Sequence, residues 1–320
     1  MTTKLILDLD TGIDDALALA YALASPEVEL IGVTCTYGNV VVEDSVRNTL
    51  AILELFGRTD VPVYAGPGHA REKSSFEVQE ISAFIHGKNG IGEVDIPDPA
   101  RSVEEISAVD FLVDAVAQYR SDVVIVPTGP STTIAAAIEA SNVFRENARV
   151  VMMGGALTVP GNVTPWSEAN IHQDPEATNL LFRQLRNVTM IGLDVTLQTL
   201  LTSEETATWS ALGTVGGNFL ADITNYYIEA YKTTSPHLGG CGLHDPLAVA
   251  VAVNPGLVDT LGINMKVDTD GETRGRTIGD ETRLNDPDKR AGVAVRVDTA
   301  GFLEEFMRRL TGLASQTPVV

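Results

Sequence analysis

The segment LILDLDTGIDDALAL (Leu5–Leu19) passes from an unbroken apolar run into a helical pattern, and it places Asp8, Asp10, Asp14 and Asp15 within eight positions at the junction. A short Leu/Ile run without polar alternation reads as a strand buried on both faces, and the DDALALAYALAS that follows reads as a helix. The same exchange recurs through the first two-thirds of the chain. VELIGVTCT, VPVYAG, DVVIVPT, ARVVMMGG and NVTMIGLDV are strand-like, and EDSVRNTLAILELFG, SVEEISAVDFLVDAVAQY, STTIAAAIEA and DPEATNLLFRQL are helical. Buried strands alternating with helices predict an α/β fold, an open, mainly parallel, doubly wound (Rossmann-like) sheet with helices on both faces. Neither a repeat nor a Pro/Gly-rich linker divides residues 1–320, so a single domain is expected.

Two stretches break the rhythm. Residues 70–100 are polar and poorly periodic, and a loop of that length is expected to act as a flap over an active site. Residues 232–245, KTTSPHLGGCGLHD, are expected to form a second irregular loop leading into the helix DPLAVAVAV. The C-terminal strand patterns ETRGRTIG and AGVAVRV and the helix AGFLEEFMRRLTGL read as additions to the same domain.

Charge narrows the function. Acidic residues outnumber basic ones 43 to 22, a formal charge of −21, which disfavours nucleic acids and anionic membranes as partners. The two cysteines, Cys35 and Cys241, form no disulfide framework or CxxC motif. The apolar run of MTTKLILDLD is too short for a signal peptide, and no segment approaches the roughly 20 apolar residues of a membrane helix. The expected location is the cytoplasm.

In open parallel sheets, ligands bind beyond the carboxyl ends of the strands. That rule gathers the four aspartates, TYGN, PTGPST and MMGGA on one rim. Helix capping and the helix dipole explain one or two acidic residues at a helix start. They do not explain four, because like charges so close oppose folding. A hard divalent cation removes the conflict: Ca²⁺ takes about six to eight oxygen ligands, Mg²⁺ prefers fewer protein ligands in an octahedron, and no His/Cys cluster suggests zinc. Asp14 and Asp15 lie about 100° apart around a helix, so one can hold the metal while the other reaches a substrate.

The segment DLDTGIDDALAL resembles the DxDxGxDD signature of the nucleoside hydrolases of the inosine/uridine-preferring type. TYGN, IHGKNGIG, PTGPSTTIAAAI, VVMMGGA, GNVTPWSEANIHQDPEA and HDPLAVAVAV resemble further segments of that family, in the family's order, across roughly residues 4 to 312. The resemblance implies that Asp10, Asp15, Asp245 and the backbone carbonyl of Thr128 hold Ca²⁺, with Asp8 supporting them from behind. It implies that Asp14, Asn39, Asn162, Glu168 and Asn170 bind the ribose, that Met153 lies against the sugar, and that His244 protonates the departing base. His86 is expected to contact substrate from the flap. Tyr227 and Tyr231, four apart on a helix, are expected either to flank the base or to pack in the core.

The expected reaction is calcium-dependent hydrolysis of the N-glycosidic bond of purine and pyrimidine ribonucleosides such as inosine and uridine, serving nucleoside salvage. A water oriented by the ion and deprotonated by Asp10 attacks directly, and the acidic pocket stabilises the oxocarbenium-like transition state. The resemblance also implies a homodimer or homotetramer. A purine-preferring hydrolase is the first alternative, with Trp166 near enough to the site to keep base preference open. DLDTG superficially matches the DxDx(T/V) motif of haloacid-dehalogenase-type phosphatases, but Gly12 replaces Thr or Val. A non-catalytic nucleoside-binding protein on the same scaffold is the third alternative.

Overall fold

A computed structural model describes residues 2–320. Its strands are β1 (Thr3–Leu9), β2 (Val28–Cys35), β3 (Val63–Ala65), β4 (Val123–Pro127), β5 (Arg149–Met153), β6 (Asn187–Ile191), β7 (Leu200–Leu201), β8 (Cys241–Gly242), β9 (Val258–Ile263), β10 (Met265–Val267), β11 (Thr277–Gly279) and β12 (Ala291–Val297). The helices are α1 (Ile13–Leu23), α2 (Val42–Leu55), α3 (Glu80–His86), α4 (Ala108–Tyr119), α5 (Thr132–Ala140), α6 (Asn142–Asn147), α7 (Ala169–Gln173), α8 (Pro175–Gln184), α9 (Leu193–Thr196), α10 (Ser203–Ser210), α11 (Val215–Thr234), α12 (His244–Val253) and α13 (Thr299–Ala314).

Eight strands form one sheet in the order β3-β2-β1-β4-β5-β6-β12-β9. Every neighbouring pair is parallel except β12 with β9. Leu5, Leu7 and Leu9 of β1 pack into one apolar core while Ile6 packs into the other, so both faces of the strand are covered. All four are fully buried, and each such side chain contributes about 1.5–3 kcal/mol. That double burial is why the first strand reads as an unbroken apolar run. The chain winds outward from β1 in one direction to β2 and β3, and from β4 onward in the other. The crevice of this switch point lies beyond the carboxyl ends of β1 and β4, where the aspartates are.

Several details differ from expectation. The helix expected from residue 102 begins at Ala108, because the Ser107 hydroxyl caps it by accepting from the Asp110 amide while Glu104 N–H bonds back to Val63 of β3. Half of the expected loop at 232–245 is regular: α11 runs to Thr234, β8 pairs with β7, and α12 starts at His244, leaving 235–240 and Leu243 irregular. The flap region contains α3. Of ETRGRTIG only Thr277–Gly279 is a strand, and it pairs with β10 outside the main sheet. The antiparallel edge strand β9 was not foreseen, since most of its residues are exposed and it lacks a buried apolar run. Among the described residues no helix is long and apolar enough to cross a membrane.

Candidate active site

The DxDxGxDD turn is built by the change from β1 to α1. Asp8 ends the strand's buried face, and Asp10 lies just past its end. Asp14 and Asp15 occupy the first turn of α1, and all four are buried. Part of the capping explanation holds: Asp15 Oδ2 accepts from Gly12 N–H at 2.9 Å, and its Oδ1 accepts from the Thr128 hydroxyl at 2.6 Å. Asp8 Oδ1 accepts from the Thr34 hydroxyl at 2.7 Å, and Asp10 Oδ2 from Asn39 N–H at 2.7 Å. Asp8 Oδ2, Asp10 Oδ1 and Asp14 Oδ1 are buried with no hydrogen-bond partner.

Two glycines in the motifs are explained by crowding here. A Cβ on Gly12 would lie 2.6 Å from both Asn39 Nδ2 and His86 Nδ1. Gly38 of TYGN has a φ of +156°, and a Cβ there would lie 2.0 Å from Asp10 Oδ2. A side chain at Gly12 would displace Asn39 and His86, and one at Gly38 would displace the Asp10 carboxylate.

One carboxylate oxygen from each of Asp14, Asp15 and Asp245 lies within 4.8 Å of the others. The sequence-based metal set had Asp10 in place of Asp14. Asp10 turns one oxygen to the Asn39 amide and leaves the other unpaired, while Asp14 lines the cavity and Asp15 lies behind it on the same helical turn. Burial pushes Asp8 and Asp14 up to about 7, from an ordinary 3.8. Burial and then the neighbouring carboxylates push Asp10 and Asp245 well above that range. Carboxylates so placed suit a hard cation: the grouped ligand atoms are all carboxylate oxygens, and unpaired buried oxygens are present to take it.

A second wall comes from β4, β5 and α7. Asn170 Nδ2 donates to the Thr128 carbonyl at 2.6 Å and approaches Met153 Sδ at 3.3 Å, joining the ends of β4 and β5. Glu168 caps α7 and also accepts from Gly155 N–H at 2.9 Å; burial raises its pKa. Asn162 stands exposed at the mouth, where its Oδ1 accepts from Ala169 N–H at 3.0 Å. Asn39 Nδ2 donates to Asp15 Oδ2 at 3.1 Å.

The opposite wall is aromatic. His86, the last residue of α3, accepts from Ile13 N–H through Nδ1 at 3.2 Å, which leaves its proton on Nε2. Tyr227 OH donates to Asp14 Oδ2 at 3.3 Å, and its ring meets that of Tyr231 edge-on with centroids 4.9 Å apart. His244 Nε2 is 2.7 Å from Tyr231 OH, and His244 Nδ1 is 2.7 Å from Thr196 Oγ1. The tyrosines therefore line the site instead of serving only as core packing. Burial lowers His86 to about 3 and His244 to about 4, so both are neutral at physiological pH.

These residues line one cavity of about 630 Å³, bordered by Asp14, Asn39, Thr128, Met153, Asn162, Glu168, Asn170, His86, Tyr227, Tyr231, His244 and Asp245. Asp10 and Asp15 sit behind this surface. Ile81, Ser82, Ile85 and Gln173 also line the cavity, and Thr196 grips His244; none of these was found in the sequence. Thr196 is 48 residues from His244, and nothing local marks it. Trp166 does not line the cavity; the residue is 42% exposed, with the Arg276 guanidinium over its ring, 5.2 Å from the centroid.

The sequence model of the "Inosine-uridine preferring nucleoside hydrolase" family matches residues 5–304. Uridine nucleosidase 1 of Arabidopsis thaliana is 34% identical, covering 96% of this chain and 93% of its own length. The pyrimidine-specific ribonucleoside hydrolase RihA of Shigella boydii is 34% identical, over 97% of this chain and 99% of its own. The solved structure of a purine-preferring ribonucleoside hydrolase from Gardnerella vaginalis is 63% identical, with a TM-score of 0.96 over 98% of this chain and 99% of that one. The chain belongs to the inosine-uridine preferring nucleoside hydrolases, enzymes that cleave the N-glycosidic bond of ribonucleosides.

Proposed function

We propose that residues 1–320 act as one hydrolase domain that uses Ca²⁺ and prefers purine ribonucleosides while still cleaving pyrimidine ones. The observation that carries this reading is the polarity of one cavity: buried carboxylates at its floor and a neutral His/Tyr wall opposite. Asp14, whose oxygen lies within 4.8 Å of those of Asp15 and Asp245, is left to the ribose, and Asp10, Asp15, Asp245 and the Thr128 carbonyl would hold the ion beside it. When bound, it supplies a Lewis acid that lowers the pKa of the attacking water and grips the ribose diol.

The remaining work belongs to the chain. Asp10, with Oδ1 unpaired, takes the water's proton as general base. Asp14 and Asn39 hold the ribose hydroxyls at one end, and Asn162, Glu168 and Asn170 hold the sugar at the other. Met153 packs against the sugar face. As the C1′–N bond breaks, its electron pair goes to the base nitrogen and negative floor charge offsets the positive charge on the sugar. The base nitrogen takes its proton from the Tyr231–His244 pair, joined by a 2.7 Å contact between Tyr231 OH and His244 Nε2. His86 presents its Nε2–H from the flap (residues 70–100), which closes over substrate and excludes water.

Purine preference rests on the 63% identity to the Gardnerella vaginalis protein, against 34% for the uridine and pyrimidine enzymes. Grip on the base falls to Tyr227, Tyr231 and His86, because Trp166 stands outside the cavity. The test is kcat/KM for ribose release from inosine, adenosine, uridine and cytidine. The purines are expected to lead by about tenfold, a difference of about 1.4 kcal/mol in transition-state binding. Equal values, or uridine leading, would contradict the preference.

A further inference from the structure

We infer that Thr196 is a positioning residue for base departure: its hydroxyl fixes the rotation of the His244 imidazole so that Nε2 meets Tyr231. The inference rests on the reading above, in which the Tyr231–His244 pair protonates the base. It goes beyond that reading by assigning a role to a residue outside every motif of the sequence.

The geometry is a ring held at opposite edges. Nδ1 lies 2.7 Å from Thr196 Oγ1 and Nε2 lies 2.7 Å from Tyr231 OH. Turning the ring by half a revolution about Cβ–Cγ exchanges Nε2 with Cε1 and presents Tyr231 with a carbon that neither gives nor takes a proton. Tyr231 alone opposes that turn at one edge, and Thr196 opposes it at the other. Thr196 is fully buried, so no water substitutes for its hydroxyl. A hydroxyl both donates and accepts, so it holds Nδ1 whichever nitrogen carries the proton. The Nε2/Cε1 edge also rests against Gly242, where a Cβ would lie 2.6 Å from Nε2.

Thr196 is itself held firmly. It ends the short helix α9, whose first residue donates from Leu193 N–H to the Gly155 carbonyl at 2.9 Å. Asp194 of the same helix accepts from Leu157 N–H at 2.9 Å and Thr158 N–H at 2.6 Å. The loop after Met153 and the imidazole are thus tied to one four-residue element.

The experiment compares two leaving groups. Inosine needs a proton on its departing base, whereas 4-nitrophenyl β-D-ribofuranoside releases a stable phenolate without one. For Thr196→Val, kcat on inosine is expected to fall about 10- to 100-fold with KM changed less than about twofold. Activity on the nitrophenyl riboside is expected to stay within about threefold, and Thr196→Ser is expected to restore most of the inosine rate. Equal losses on both substrates would mark Thr196 as merely structural, and no loss on inosine would show the hydroxyl idle; either overturns the inference. Should Thr196→Val fail to fold, Thr196→Ala carries the same expectation. His244→Ala separates the two claims. If its loss is equal on both substrates, base protonation by the pair is wrong; if only His244→Ala is selective, Thr196 alone was misassigned.

Discussion

The two ends of the cavity are built from opposite materials. The floor concentrates buried carboxylates from one contiguous turn of chain, joined only by Asp245 from afar. The His/Tyr wall is electrically neutral and is assembled from α3, α9, α11 and α12, with His86 and His244 held uncharged by burial. In the proposed reaction, charge stands where the sugar becomes positive and neutral proton carriers stand where the base leaves. The floor should therefore set whether any substrate is cleaved, and the wall should set which base departs fastest.

The largest expected effect breaks the floor. Asp10→Asn keeps the size but removes the base, and kcat on every nucleoside should fall by at least about 10³-fold, near the upper range for general-base loss combined with altered charge. Loss confined to one base class would undo the division between floor and wall. Removing a substrate group comes next. 2′-Deoxyinosine should react about 10²- to 10³-fold more slowly than inosine in kcat/KM, because Asp14 and Asn39 would be left without a partner. A difference under about threefold would show that those residues do not grip the diol.

At the wall, His244→Ala should lower kcat by about 10²-fold on one base class and far less on the other. Equal small effects on inosine and uridine would remove the assigned role. The smallest effect is on stability. In metal-stripped protein, Asp8 and Asp14, with folded values of about 7 against an ordinary 3.8, hold more protons folded than unfolded. Stability therefore falls as pH rises toward about 7. His86 and His244, lowered from an ordinary 6.5, act in the opposite sense only below that value. Between about pH 6.5 and 7.5 the carboxylates should decide the sign, and Tm should drop. Calcium at about 100 times its Kd adds about 2.7 kcal/mol, on the order of 5 °C. A Tm that rises across that window without calcium would contradict the burial of charge at the floor.

The same contrast explains what was legible in the sequence. The floor could be read because β1 and α1 follow one another directly, so Asp8 to Asp15 are neighbours in the chain and in space. Strands buried on both faces announced themselves for the same reason: Leu5, Leu7 and Leu9 feed one core and Ile6 the other. The wall was only partly legible. His244 and the two tyrosines stood out as residue types, but the 2.7 Å contacts of His244 join α9, α11 and α12, which share no local pattern. Thr196 was invisible because a buried threonine at the end of a short helix looks like any other. β9 escaped because its exposed edge position removes the apolar run that reveals a strand. The grouping of Asp14 with Asp15 and Asp245 was also beyond the sequence, since a 100° step around a helix does not say how far two carboxylates reach inward.

The most direct test of the central claim, that the buried carboxylate floor is the cation site on which hydrolysis depends, is ribose release from inosine and uridine by metal-stripped protein before and after Ca²⁺ is restored. Activity should be nearly absent in the stripped protein and should return on both substrates with calcium, but not in Asp10→Asn. Full ribose release without any divalent cation, or none with calcium demonstrably bound, would contradict it.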